Sequence, residues 1–261
     1  MPTLILYIII YIFIFLAGAC IGSFYNVIAA RSVTHESFVK GRSHCPKCNH
    51  TLSAIDLVPF FSYLFLKGKC RYCKAKISIR YPIVELIGGL SAVFCVYKLG
   101  LTLQALLVFY VISLLITLSL IDLDIQEIPN GFHIAMIPAI LFSIFLFPEI
   151  SIGERVIGFF AISVPMLIIA ELVNGIGFGG GDIKLMAMAG AFLGWKGILC
   201  AFFAGIIVAA IYCIYLLAFK KAGRKTAIAF GPYLAIGIIV AIFYADPIIN
   251  WYLNTFFYGM H

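Results

Sequence analysis

Long, uninterrupted apolar runs dominate this chain of 261 residues and decide what it can fold into. A helix needs about 20 apolar residues to cross a bilayer, and about eight runs in the sequence are long enough. Only 11% of the residues are charged, whereas a soluble domain carries about 25%. Because the runs are continuous rather than alternating, they favour helices over a membrane β-barrel. The sequence therefore predicts an all-α polytopic membrane protein.

The predicted spans can be placed to within several residues from the apolar runs alone. They lie near residues 4–30, 82–99, 101–121, 132–148, 156–174, 183–198, 199–219 and 227–250. Several runs are short or separated only by a turn, so seven spans is an alternative. The first run is too long for the core of a signal peptide and lacks a basic flank, which predicts a retained first helix.

The distribution of the 18 Lys and Arg residues agrees with eight spans. With the N-terminus outside, four segments lie inside: 31–81, 122–131, 175–182 and 220–226. Three basic residues fall outside: Lys98, Arg155 and Lys196. Positive loops remain cytoplasmic, so the pattern predicts that these four segments face the cytoplasm. The lipid bilayer explains the net charge of +7, and no nucleic-acid partner is predicted.

The loop 31–81 contains two CxxC knuckles, Cys45 with Cys48 and Cys70 with Cys73. Paired knuckles with this kind of separation are typical of a tetrahedral zinc site with four thiolate ligands. The alternative is two disulfides, which are rare in the reducing cytosol. Four ligands leave no open position, so the predicted Zn²⁺ is structural, and its binding would stabilise a loop too small to fold unaided.

Two histidines, His44 and His50, flank the first knuckle and are alternative ligands. The remaining cysteines lie in apolar runs, where small buried hydrophobes are expected: Cys20, Cys95, Cys200 and Cys213.

Two aspartates, Asp122 and Asp182, each lie where an apolar run meets a short polar turn, and both are predicted to be on the cytoplasmic side. An ionisable group at a membrane edge is unfavourable unless paired or hydrated, so it indicates function. Two carboxylates within reach share one proton, and one then acts as base on water while the other acts as acid. The sequence therefore predicts an aspartic protease site.

Each aspartate also has a structural alternative. Asp182 follows a run of glycines, Gly175, Gly177 and Gly179–Gly181, and opens the next helix, where Asp is a good N-cap. Asp122 fits capping poorly, because it lies at a helix C-terminus, where the dipole opposes negative charge. Asp124 and Glu127 follow in the same turn and are alternative partners for Asp182. The glycine run predicts an irregular backbone that a substrate chain approaches closely.

Taken together, these motifs resemble those of the bacterial type IV prepilin peptidases, integral membrane aspartic proteases of the GxGD class. The matching pieces are Gly22-Ser23-Phe24-Tyr25-Asn26-Val27 with Arg31, the two CxxC knuckles, Arg80-Tyr81-Pro82 with Glu85, the stretch from Asp122-Leu123-Asp124 to Ile128-Pro129, and Gly179-Gly180-Gly181-Asp182-Ile183-Lys184-Leu185.

This resemblance implies cleavage of the short basic leader of pilin-like precursors, after a glycine, on the cytoplasmic side of the inner membrane. It implies that Asp122 and Asp182 are the catalytic pair, with Gly179, Gly180, Gly181, Asp124 and Glu127 along the substrate's approach. There are two departures from the family pattern. Asn130 stands where many members have Asp, and Gly180 stands where an aromatic residue is common.

Many members of the family also methylate the new N-terminus with S-adenosylmethionine. The implied division is a putative methyltransferase region at 1–100 and a peptidase region at 101–261. Asn26, Arg31 and Glu85 flank the loop and are candidate cofactor-binding residues, the alternative being helix ends at the lipid headgroups.

Other functions remain open from the sequence. They are a peptidase without methyltransferase activity, a proton-coupled transporter and a zinc-bearing scaffold. The implied partners are type IV prepilins or the pseudopilins of competence or secretion.

Overall fold

A computed structural model describes residues 2–34, 43–173, 178–219 and 228–258 of the chain. The predicted basic segment 220–226 and the glycines at 175 and 177 lie outside these residues. The described residues are nearly all helical and contain no strand, with two isolated antiparallel bridges near the knuckles. The chain divides into two compact units, Met1–Phe109 and Tyr110–His261.

The first unit is built on two long apolar helices. They are α1 (Pro2–Thr34) and α3 (Arg80–Leu99), and the knuckle segment with the short helix α2 (Phe61–Phe65) lies between them in sequence. Glycines allow close contact between α1 and α3, because a Cβ at Gly18 would lie 2.6 Å from the carbonyl oxygen of Gly88. Such small-residue contacts are the usual way in which membrane helices pack.

The second unit contains the remaining helices. The helix α4 (Leu103–Ile125) crosses the boundary between the units and is followed by α5 (Asn130–Leu146), α6 (Ile152–Ala161), α7 (Ser163–Leu172), α8 (Gly180–Phe219) and α9 (Gly231–Leu253). A π-helical turn, Asn254–Tyr258, follows α9.

The helix α8 is broken at Gly194. A straight helix of its 40 residues would be about 60 Å long, twice the hydrocarbon thickness. Gly194 instead has φ 72° and ψ 174°, a conformation that L-residues with a side chain rarely adopt. After this break, α8 runs antiparallel to α9, with Gly205 close to Leu234 and Tyr212 against Tyr233.

The break at Gly194 bears on the number of apolar crossings. Six helical segments in the described residues are long and apolar enough to span a bilayer, and α5 is a shorter apolar helix of 17 residues. The all-α polytopic fold class is confirmed. The predicted eight spans correspond to these six segments if α8 is counted as two and the shorter α5 is included. The predicted boundary between 198 and 199 is wrong by several residues, because Gly194 makes the turn. The span expected at 156–174 is formed by α6 and α7, which begin earlier, at Ile152.

A buried arginine holds the helix ends near this turn. Arg155, on α6, is 4% exposed and donates to the carbonyl oxygens of Ser143 and Phe147 on one side and of Ala191 and Phe192 on the other. The last carbonyls of a helix have no partner within the helix. The guanidinium group therefore satisfies the C-terminal ends of α5 and of the first half of α8.

Candidate active site and metal centre

One pocket in the second unit brings the two predicted aspartates together. Its volume is about 250 Å³, and both Asp122 and Asp182 line it. Asp122 is 4% exposed and Asp182 is 9% exposed, so both carboxylates are withdrawn from bulk solvent. The other lining residues come from the end of α4 and the start of α8: Gln126, Glu127, Ile128, Gly179, Gly180 and Gly181.

The side chain of Asp122 is held by the first residue of α9. Its Oδ2 accepts a hydrogen bond from the backbone N–H of Gly231 at 2.9 Å. A Cβ at Gly231 would lie 2.8 Å from the same oxygen, so only glycine fits there without a shift. Asp122 lies in the last turn of α4, which ends as Gln126 adopts a positive φ of 55°. The carboxylate is therefore fixed by a helix distant in sequence.

Asp182 lies in the first turn of α8. The carbonyl of Gly179 accepts from the N–H of Ile183 at 3.2 Å, which makes Gly179 the residue that caps the helix. Asp182 is three residues further on, and its carboxylate accepts a hydrogen bond from the backbone of Gly179. This is the contact that the acid of a capping box makes. Asp182 therefore does help to cap α8. It does so from the third helical position, whereas the sequence predicted it at the N-cap.

The three glycines before Asp182 differ in what surrounds them. A Cβ at Gly181 would lie 2.9 Å from the Cβ of Ile128, and one at Gly179 would lie 3.2 Å from Oδ2 of Asp182. A Cβ at Gly180 would meet nothing within 4 Å. Close packing therefore accounts for Gly179 and Gly181, whereas Gly180 leaves open space in the pocket wall.

The other acids of the turn lie nearer to solvent. Asp124 and Glu127 are both exposed, and only Glu127 lines the pocket. Asn130 accepts a hydrogen bond from Nζ of Lys184 at 2.9 Å. An amide oxygen makes this contact without carrying a charge.

Two residues of the site were not singled out by sequence reasoning. His133 on α5 is 6% exposed, and its Nε2 lies 3.1 Å from the carbonyl oxygen of Gly181. Gly231 holds Asp122. The available signals were weak: His133 lies three residues after Asn130 on the same helix face, and Gly231 precedes a proline at a helix start, where proline is common.

The four knuckle cysteines form the predicted metal centre. Their Sγ atoms all lie within 4.8 Å of one another. Sγ of Cys45 and Sγ of Cys73 are 3.8 Å apart, which is about the edge of a tetrahedron with Zn–S bonds of about 2.3 Å. A disulfide requires about 2.05 Å, and all four cysteines are free thiols. The donor set therefore fits Zn²⁺, and the disulfide alternative is not the arrangement in this structure.

The two knuckles have the same backbone fold. In the first, the N–H of Asn49 donates to the carbonyl of Cys45 at 2.8 Å; in the second, the N–H of Lys74 donates to that of Cys70 at 3.0 Å. Asn49 and Lys74 both have positive φ, 53° and 59°. Hydrogen bonds from the backbone N–H groups of Cys48 and Lys47 lower the pKa of the Cys45 thiol to about 6. At Cys45 a thiolate, the form that binds metal, is thus favoured near neutral pH, whereas the pKa of the adjacent Cys48 thiol is raised to about 11.

Neither His44 nor His50 is among the four residues whose side chains could together hold a metal ion. The ring of His50 instead stacks on Tyr72, with centroids 3.6 Å apart. Asp56 stabilises the segment between the knuckles, since it forms an ion pair with Arg71 at 2.7 Å. The Ser53 hydroxyl, together with Tyr72 and Arg71, holds the pKa of Asp56 below its usual value.

The candidate cofactor residues lie in the first unit, with Asn26 and Arg31 on α1 and Glu85 on α3. Glu85 is 8% exposed, and its Oε2 accepts from the N–H of Phe60 at 2.7 Å. Asn26 is buried and donates from Nδ2 to the carbonyl of Tyr81 at 3.4 Å. Arg31 is partly exposed in the last turn of α1. Two of the three candidates are therefore buried polar groups within the helix pair.

Comparison with known families matches the chain in two parts, between residues 16 and 214. Residues 16–99 match the Bacterial Peptidase A24 N-terminal domain, and residues 109–214 match the Type IV leader peptidase family. The matched segments contain the knuckle cysteines and both pocket aspartates, respectively.

Curated relatives agree with this family match. A protein of Bacillus subtilis (strain 168) named prepilin leader peptidase/N-methyltransferase is 34% identical, over 92% of this chain and 97% of its own. Proteins with the same name from Aeromonas salmonicida (strain A449) and Legionella pneumophila are 38% and 32% identical, each over 82% of this chain and over 75% and 76% of their own. No solved structure shows significant similarity to the chain.

Proposed function

The chain belongs to the type IV leader peptidase family, and from this premise we propose the reaction that it performs. It removes the short basic leader of type IV prepilin-like precursors at the cytoplasmic face of the inner membrane. It then methylates the new N-terminus with S-adenosylmethionine. The observation that carries the peptidase half is the single pocket lined by both Asp122 and Asp182.

In the proposed hydrolysis the two carboxylates share one proton, because two adjacent negative charges are unfavourable in a buried pocket. The ionised aspartate takes a proton from water as the water oxygen attacks the scissile carbonyl carbon. The protonated aspartate donates its proton to the carbonyl oxygen. Collapse of the tetrahedral intermediate then breaks the C–N bond, and a proton is delivered to the leaving nitrogen. Each carboxylate thus acts once as acid and once as base.

The pocket also supports a route for the substrate backbone. Gly179, Gly180 and Gly181 form one wall, and Gly180 has no atom within 4 Å of the position that its Cβ would take. We propose that the extended leader segment lies along this wall. Asp124 and Glu127, both exposed, would attract its basic residues.

The metal proposed for the knuckles is Zn²⁺, held by Cys45, Cys48, Cys70 and Cys73. When bound, it would link two turns that are separated in sequence. Four thiolates fill a tetrahedral site, so the role proposed is structural. The chain's own contribution is to hold the sulfurs within 4.8 Å of one another and to favour the thiolate form at Cys45.

The methyl donor is proposed to bind in the region 1–100, at Asn26, Arg31 and Glu85. The names of the relatives support S-adenosylmethionine as its source. Glu85 supports the placement because a carboxylate has about four acceptor positions, and hydrogen bonds from Phe60 and Ser23 leave room for a further donor. Such a group suits the donor's positively charged amine.

The proposal is tested by co-expression with a candidate pilin or pseudopilin precursor, followed by mass spectrometry of its N-terminus. Leader removal with the added mass of one methyl group supports both activities. Leader removal without that mass supports a peptidase alone. The assignment as an aspartic peptidase would be overturned if the wild-type enzyme left the precursor intact. It would also be overturned if cleavage persisted in both Asp122→Asn and Asp182→Asn. A proton-coupled transporter or a scaffold predicts no cleavage at all.

A further inference from the structure

His133 lies on α5 beside the loop that carries Asp182. Its side chain is nearly fully buried, at 6% exposure, and Nε2 is 3.1 Å from the carbonyl oxygen of Gly181. A carbonyl oxygen only accepts hydrogen bonds, so Nε2 carries the proton and donates it. The imidazole therefore acts as a hydrogen-bond donor to the residue directly before Asp182.

The bond from His133 is additional to the helix's own hydrogen bonding. Gly181 is the second residue of α8, and in an α-helix its carbonyl also accepts from the N–H four residues later, at Leu185. Loss of the imidazole would thus leave the carbonyl with a partner. The Gly181 carbonyl therefore does not need the imidazole as its hydrogen-bond partner. The effect of this hydrogen bond is on the position of the first turn of α8.

Among the described residues, the start of α8 contacts the turn before α5 and the first residues of α5. Gly181 packs against Ile128, and Lys184 donates to Asn130 at an exposed position. The third contact is that of His133, at a buried position. Water competes least with a buried hydrogen bond, so His133 provides the most directional of the three.

This arrangement links the two pocket aspartates. Asp122 lies at the end of α4, and the short turn after it leads directly to α5 and His133. Asp182 follows Gly181, to which His133 is bonded. One described connection from Asp122 to Asp182 therefore runs through the turn after α4, the imidazole of His133 and the Gly181 carbonyl.

We infer that His133 is a positioning residue for peptide hydrolysis: it holds Gly181 against α5 and thereby sets the carboxylate of Asp182 opposite that of Asp122. The inference rests on the proposed function, since it matters only if these aspartates do the chemistry. A displacement of about 1 Å in a catalytic group reduces rate by roughly 100-fold. His133 does not line the pocket, so substrate affinity should depend on it far less than turnover does.

The test compares three substitutions of His133 in the full-length protein, with initial rates on one precursor. His133→Gln keeps an N–H donor at nearly the same reach, His133→Asn places its amide too close to the backbone, and His133→Leu removes the donor. We expect kcat to fall about 10- to 100-fold in the Asn and Leu variants and to recover to within about threefold of wild type in the Gln variant. KM should change less than about twofold throughout.

A matched control separates positioning from general packing. Met136, on the same helix, is 2% exposed and is not among the residues that line the pocket. Met136→Ala should lower the melting temperature in detergent, as large-to-small core changes do, while leaving kcat near wild type. A kcat in Met136→Ala that falls as far as in His133→Leu would show that packing alone explains the effect.

The outcomes distinguish this inference from the proposed function. Cleavage that survives in Asp122→Asn and Asp182→Asn overturns the peptidase assignment itself. Loss of cleavage in those two variants, combined with a wild-type kcat in His133→Leu, overturns only the positioning role. Equal losses in the Gln, Asn and Leu variants would also overturn it, because restoring the donor should restore the rate.

Discussion

The backbone N–H of Gly231 donates to Oδ2 of Asp122 across 2.9 Å, although the two residues are 109 positions apart in the chain. The bond is buried and connects the last turn of α4 to the first residue of α9. The preceding residue, Phe230, contacts Phe178 with ring centroids 5.7 Å apart, and Phe178 in turn precedes the glycine loop. Three helix ends thus meet at one carboxylate.

Gly231→Ala should reduce cleavage because the new Cβ would lie 2.8 Å from Oδ2 and 3.2 Å from Cγ of Asp122. Either the carboxylate or α9 must shift, so we expect kcat to fall about tenfold or more, with a smaller change in KM. The control is Gly131→Ala on α5, where a Cβ would meet nothing within 4 Å. A wild-type kcat in Gly231→Ala would contradict a fixed Asp122.

Asp122→Asn and Asp182→Asn should each abolish detectable cleavage while the protein still inserts into membranes. An amide cannot exchange the shared proton, and loss of such acid–base catalysis reduces rate by roughly 10²- to 10⁴-fold. Asp124→Asn should retain partial activity, because Asp124 is exposed and does not line the pocket. The assignment of the pair is wrong if Asp124→Asn is inactive while Asp122→Asn cleaves. Precursor processing in membranes, normalised to inserted protein, measures all three.

The glycine loop should tolerate a side chain at one position and not at its neighbour. Gly180→Ala points into open space and replaces a glycine in the first turn of a helix, so activity and stability should stay near wild type. Gly181→Ala would place its Cβ 2.9 Å from that of Ile128 and should impair kcat. Gly180→Phe should fill part of the 250 Å³ pocket and raise KM. Equal kcat in the two alanine variants would show that the loop adjusts freely.

Removal of one knuckle cysteine should affect the loop more than peptide hydrolysis. The cysteines belong to the unit Met1–Phe109 and the aspartates to the unit Tyr110–His261. Cys45→Ser should therefore make the segment around the knuckles more sensitive to protease, with a smaller loss of precursor cleavage.

The metal content gives a second measurement. Elemental analysis of the purified wild-type protein should find about one zinc per chain, and that of Cys45→Ser should find much less. Wild-type protein that is active and nearly free of metal would refute the structural zinc. Cys213→Ser, outside the cluster, is the matched control.

Glu127→Lys should weaken precursor binding more than it slows turnover. Glu127 is exposed and lines the pocket, and a basic leader must pass close to it. Each charge near a membrane surface contributes about 1 kcal/mol. The substitution changes the charge by two units, so we expect KM to rise roughly 30-fold at low salt. Added salt should reduce the defect, since charges are screened over about 8 Å at physiological ionic strength.

The control for this steering effect is Glu149→Lys, the same charge change at an exposed position that does not line the pocket. Its KM should stay near that of wild type. The steering role is refuted if Glu127→Lys leaves KM unchanged at low salt, or if Glu149→Lys raises it equally.

Two kinds of feature followed from the sequence alone, because each depends only on residues close together in the chain. The apolar runs predicted the all-α membrane fold, since a helix in lipid satisfies its backbone hydrogen bonds within one segment. The CxxC spacing predicted the four-sulfur cluster, since each knuckle is a local turn. The polar positions of Asp122 and Asp182 identified them as candidates, and the structure places both in one pocket.

Only the tertiary structure decided how distant segments meet. The turn at Gly194, expected at 198/199, depends on a left-handed backbone conformation that apolar composition does not encode. Gly231 at Asp122 and His133 at Gly181 are contacts across 109 and 48 positions, and the packing of α4, α5, α8 and α9 brings them together. Hydrophobicity specifies that a segment spans the bilayer, whereas close packing at glycines and buried hydrogen bonds specifies which helices become neighbours.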